Sequence, residues 1–222
     1  MPAMLTEDYL IRMINLALAA LARLAGLKGE GQYERAKQEA EKMLEEAFGL
    51  RFELLQTLSD RSFIDLALEK SAHSAAFLLV AGQLFQEQAE SAEALGLPSE
   101  ASLSRLHALA LYLEAALNEE DLQTAARARE KVDALLPSLK GLQVPVDTRY
   151  ALFCHLENAG RFASAAEQIE GLQGAPGMEE AVRDELRDFY HRMAEKTETE
   201  LEKGGLTREA ILVRLKNLDA GQ

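Results

Sequence analysis

The 222 residues contain no tryptophan and one cysteine, Cys154. A single thiol excludes an intramolecular disulfide and any multi-cysteine zinc cluster, and it fits a reducing compartment, so the expected location is cytoplasmic. Positive charge is scarce: 24 Lys and Arg face 37 Asp and Glu, a net charge of -13. A nucleic-acid binder needs a cationic face to displace counterions from phosphates, so that class is set aside. No basic n-region precedes the apolar run "MINLALAALARLAGL", because Glu7 and Asp8 stand there and Arg23 interrupts the run. Export is not expected. The run is also read as too short and too charged at its edges to span a bilayer, which takes about 20 apolar residues.

Several signatures of chemistry are missing as well. The chain has no phosphate-cradling glycine loop, no His-Glu-x-x-His and no Gly-x-Ser-x-Gly. The four histidines, His73, His107, His155 and His191, fall on four predicted helices, and none has another His or Cys at i+3 or i+4. Cys154 and His155 are adjacent, so on a helix they project about 100° apart and make a poor nucleophile-base pair. The expectation is no enzyme, no metal and no cofactor.

What is present is helical periodicity; no convincing period-2 run occurs. Thr6 is read as the cap of a first helix reaching about Ala25, with apolar stripes on two sides that predict packing on both. Further helices are predicted over about 32–48, 52–58, 62–70, 72–95, 98–117, 121–136, 147–158, 161–172 and 178–203, with a last short one capped by Thr207. The fold class is all-α with about ten helices, read as one domain in three stretches: 1–140, 141–175 and 176–222. The segment "SLKGLQVPVD" is its longest linker-like run.

The pattern Gly-x-aromatic/Pro-x-x-Ala recurs as "GQYERA" (Gly31 to Ala36), "GLPSEA" (Gly96 to Ala101) and "GRFASA" (Gly160 to Ala165), with a glycine-less relative, "EDLQTA", at Glu120 to Ala125. Glycine allows the positive φ of a helix end, the bulky residue plugs the hairpin mouth, and alanine lets two helices approach closely. The pattern resembles the tetratricopeptide repeat, a 34-residue helix-turn-helix unit, because the glycines are 65 and 64 residues apart, close to two such units. The chain departs from that family in lacking Trp, in having no clean 34-residue spacing, and in placing 121–136 as an extra helix between hairpins. The implied fold is an irregular tetratricopeptide-like array of antiparallel helix hairpins. The N-terminus "MLTEDYLIRMI", with Asp8, Tyr9 and Arg12, together with "GQYERA", also resembles an uncharacterised bacterial family of tetratricopeptide-like proteins with no established activity.

The repeat resemblance implies that the first helix of each hairpin lines a concave face that takes extended peptides or partner helices. Counting back from each glycine places Gln83, Gln86, Glu90 and Glu93 there in the middle unit, and Asp147, Tyr150, Cys154 and Glu157 in the later one. These residues suit a protein or peptide partner, a basic one carrying Lys or Arg or one offering backbone donors; the alternative is that they are ordinary solvated residues. Reversing Glu90 and Glu93 to Lys is expected to abolish capture with almost no change in melting temperature. Apolar Leu21 and Ala25 at the equivalent first-unit positions suggest a groove partly filled by the protein itself. Asp8 and Arg12, at i,i+4, can pair on the helix surface; Tyr9 is read as a packing residue. Val182, Leu186, Phe189, Tyr190 and Met193 form one apolar stripe on 178–203, read as a capping helix or, with Ile211, Leu212 and Leu215, as a dimerisation hairpin. A homodimeric scaffold is thus the alternative to a binding module, and neither membrane nor nucleic acid is an expected partner.

Overall fold

The computed structural model describes residues 2–72, 74–117, 120–174 and 177–220, with side chains from Asp8 to Leu218 in its helices. His73 and the Thr6 and Glu7 side chains lie outside the described residues. Twelve α-helices and no strand occur among them, and they fall into two compact units, 1–144 and 145–222. The division falls in the "SLKGLQVPVD" run.

The first unit comprises α1 (Pro2–Gly29), α2 (Tyr33–Phe48), α3 (Phe52–Thr57), α4 (Asp60–Ser71), α5 (Ala75–Ala94), α6 (Pro98–Ala116) and α7 (Leu122–Leu135), followed by a 3₁₀ turn at Leu136–Leu139. Helices α1 and α2 form one hairpin, α5 and α6 another; α1, α5 and α7 pack in sequence on one side, and α2 and α6 lie against them. Residues 121–136, expected as a misfit, therefore continue the α5–α6 packing. The helix α1 starts before Thr6, so that residue is no cap. Only one side of α1 is packed: Leu10, Met13, Ala17, Ala20 and Leu24 are buried, whereas Ile11, Leu16 and Leu18 are exposed. The expectation of packing on two sides is corrected accordingly. Within Asp8–Gly29, 22 residues, an 18-residue window has mean hydropathy 1.7, so by length and composition alone the segment is long and apolar enough to cross a membrane, against the expectation that it is too short. Its buried stripe packs against α2 and α5.

The three patterned glycines end their helices as the spacing requires. Gly31, Gly96 and Gly160 have φ of 72°, 76° and 72°. In each, the glycine N–H donates back three residues and the next N–H donates back five: Gln32 to Leu27 O (2.9 Å), Leu97 to Ala92 O (2.9 Å) and Arg161 to Leu156 O (2.9 Å). This is the Schellman closure. The patterned alanines Ala36, Ala101 and Ala165 are buried, and Ala101 packs with Ala89 and Ala92 where α6 meets α5. A fourth closure escaped the pattern: Leu206 N–H donates to Leu201 O (2.9 Å) behind Gly205, in "GLTREA", where Thr stands in the bulky position.

Two features tighten the core of the first unit. A Cβ at Gly82 would lie 2.6 Å from Cε1 of Tyr112, so glycine is what lets that fully buried ring lie against α5. Phe48, Phe63, Phe77 and Phe85 pack ring against ring, and His107 stacks on Phe63 with centroids 4.1 Å apart.

The second unit comprises α8 (Val146–Asn158), α9 (Phe162–Glu170), α10 (Glu179–Ala194), α11 (Glu198–Lys203) and α12 (Arg208–Ala220). Helices α8 and α9 form its hairpin, and α10 packs on α9 and α12. The predicted stripe Val182, Leu186, Phe189, Tyr190 and Met193 is wholly buried. The expected helix over 178–203 is broken, however. Thr197 caps α11 by a reciprocal capping box with Glu200, a Thr-x-x-Glu signal present in "TETE". The break turns the chain so that Ala163 N–H donates to Gly204 O at 2.8 Å. On α12, Ile211 is buried while Leu212 and Val213 are exposed.

Candidate protein-binding surfaces

In the first unit, α1, α5 and α7 enclose a groove of about 590 Å³. Ile14, Leu18, Leu79 and Val80 make its apolar side, and Thr124, Arg127, Glu130 and Lys131 its polar wall. Of the four residues expected here, Gln83 lines the groove. The other three are engaged in internal contacts. Gln86 accepts from the Tyr112 hydroxyl (3.0 Å) and donates to Glu90 (2.9 Å). Lys28 sits between Glu87 (2.6 Å) and Glu90 (2.5 Å), and Glu93 is paired with Arg105. Burial opposes the charge on Lys28, but the hydrogen bonds it donates to Glu87 and Glu90 outweigh this and hold the lysine above its ordinary pKa. Burial likewise opposes the Glu90 carboxylate, and Lys28 and Gln86 outweigh it, so Glu90 is held below its usual range. Reversing Glu90 and Glu93 would break two ion pairs, so a lower melting temperature is expected in place of an unchanged one. Asp8 and Arg12 form no ion pair with each other, and Tyr9 is half exposed instead of packed.

The second unit brings its expected residues into one neighbourhood. Asp147 lies in the first turn of α8, and Tyr150 one turn later; with Val146 they meet Ile169 of α9 and Met178, Ala181, Val182 and Glu185 beside or on α10. These residues line a pocket of about 240 Å³ that is mostly apolar inside. The Tyr150 hydroxyl donates to Glu185 Oε2 at 3.4 Å, and its ring packs on Phe153 with centroids 5.8 Å apart. Burial, then the Cys154 and Glu185 charges, push the Tyr150 phenol up to about 12. Glu157 lies outside this pocket: Arg192 donates to it through Nε (2.8 Å) and Nη2 (2.9 Å), and also to Glu185 Oε1 (2.9 Å). Cys154 is half-buried, and burial followed by the Glu185 and Glu157 charges raises its thiol pKa. It is held as the neutral thiol, the poor nucleophile of the pair. A larger hollow of about 840 Å³ at the α8–α9 turn is rimmed by Glu157, Arg192, Lys196, Glu200 and Lys203, charges of both signs with no convergent set.

Sequence reasoning missed the α7 wall. Thr124, Arg127, Lys131 and Ala134 recur at i, i+3, i+7 and i+10, one face of a helix, and that spacing was the available signal. Among the described residues, no group of three or more His, Cys, Asp or Glu is placed to hold a metal ion.

A model of a family described as a family of unknown function (DUF6483) matches residues 4–221, and so takes in both units and all the surfaces above. The chain belongs to that family. Neither a curated protein nor a solved structure matches it. In this DUF6483 member the functional reading therefore stands on side-chain geometry.

Proposed function

We propose that this DUF6483 protein is a non-enzymatic protein-interaction module of tetratricopeptide-like construction, whose second unit takes an apolar segment bearing Lys or Arg from a protein partner. Support for the repeat-like construction comes from the matching glycine closures and buried alanines at three hairpins. The carrying observation for binding is the 240 Å³ pocket, which has an apolar lining, two carboxylates and a phenol at its edge, and no cation in its wall. Asp147 makes no ion pair among the described residues, so its charge is available to a partner ammonium or guanidinium beside the Tyr150 ring. The pocket is of a size for one long side chain. In the first unit Glu90 and Glu93 are paired with Lys28 and Arg105, and at the pocket Glu185 is paired with Arg192, which leaves Asp147 as the pocket carboxylate without an ion pair among the described residues.

The test is affinity capture at two salt concentrations with the wild type and with Asp147→Lys. A partner retained by the wild type, weakened by salt and lost with Asp147→Lys supports the reading. Equal capture by both proteins, or recovery of the bait alone, overturns it. Exposed Leu212 and Val213, adjacent on α12, favour a second reading as a self-associating scaffold. Light scattering over a hundredfold concentration range separates the two, with a mass near 49 kDa, twice the 24.5 kDa chain, indicating the scaffold.

A further inference from the structure

We infer that the groove of the first unit is a second, independent docking surface, and that its occupant is an amphipathic partner helix whose polar flank is acidic. The shape suits a helix laid along helices. Ile14 and Leu18, one turn apart on α1, and Leu79 and Val80 on α5 form the apolar side of the groove, and Leu18 is 48% exposed. An apolar strip between helices is the kind of surface that takes the i, i+4, i+7 anchors of an amphipathic helix.

The sign of the partner follows from how this unit disposes of its cations. Lys28, Lys37 and Arg105 each contact a glutamate, Lys28 and Lys37 two each, as expected in a chain carrying 37 acidic against 24 basic residues. Arg127 and Lys131 hold no ion pair among the described residues, although acidic groups outnumber cations. They stand one turn apart on the α7 face that closes the groove, with Glu130 as the sole acid in its lining. Asp121 and Glu90 act on Arg127 and Lys131 electrostatically. An apolar strip facing an unpaired Arg-Lys rail selects a helix with Leu or Ile along one line and Glu or Asp along the adjoining one. A charge-assisted contact to arginine or lysine adds register to the apolar burial.

The probes are two labelled model helices of equal length and identical Leu stripe, one flanked by Glu and the other by Lys, titrated by fluorescence anisotropy into the full chain. The Glu-flanked helix is expected to bind at least tenfold more tightly. The double variant R127E/K131E should reverse that order, and Leu18→Asn, at an exposed position, should weaken both helices. Circular dichroism confirms that each variant keeps its helix content. Equal affinities, no binding by either helix, or an order unchanged in R127E/K131E overturns the inference. Asp147→Lys should leave this binding intact, so failure here is distinguishable from failure of the pocket in the second unit.

Discussion

Acid should destabilise this protein through one imidazole. His107 is buried in the aromatic cluster, stacked on Phe63 and edge-on to Phe85 with centroids 5.1 Å apart, and its Nδ1 has no hydrogen-bond partner. Burial drives its pKa down from 6.5 to about 4. The folded chain therefore holds neutral imidazole where the unfolded chain takes up a proton. Stability associated with His107 is present above pH 6.5 and lost as pH falls from 6.5 towards 4. At pH 5 the unfolded state gains about 1.5 pH units of protonation free energy at about 1.4 kcal/mol each, roughly 2 kcal/mol. Urea unfolding followed by circular dichroism at pH 7 and pH 5, for wild type and His107→Leu, measures this. Surface carboxylates act on both proteins alike, so the wild type should lose about 2 kcal/mol more than the variant. Losses equal within about 0.5 kcal/mol would refute the reasoning, since they would mean that the imidazole is hydrated or partnered in the folded state.

Gly82→Ala should cost roughly 1–3 kcal/mol, because its Cβ meets the buried Tyr112 ring, whereas Gly26→Ala, with open space around it inside α1, should gain about 0.5–1 kcal/mol; paired urea midpoints check both. Glu90→Lys would set a cation against Lys28 and leave Gln86 without its acceptor, so a loss of roughly 1–3 kcal/mol is expected in the same assay. Thr197→Ala removes a capping box and should cost about 1 kcal/mol, with faster amide exchange in 198–203 measured by mass spectrometry.

The helices and their ends were largely legible in the sequence, because a helix closure is local. A glycine, a bulky residue and an alanine within six positions are enough to predict the bonds that Gly31, Gly96 and Gly160 make. The break at Thr197 was equally local and was passed over because alternating charges on both sides imitate one long helix. The binding surfaces were legible only in part. Counting along helices found Gln83, Asp147 and Tyr150, which do line cavities, but also gathered Gln86, Glu90 and Glu93, whose partners Tyr112, Lys28 and Arg105 come from other helices.

By itself, then, the sequence determined the class of structure and the points where the chain turns, since both depend on periodicity and on backbone preferences within one or two turns. Tertiary structure decided which charges are spent and which remain. Lys28 is 62 residues from Glu90, and Arg192 is 35 from Glu157. Pairing over such separations depends on which helix faces meet. The same packing leaves Asp147 without an ion pair at an apolar pocket and Arg127 and Lys131 beside an apolar groove.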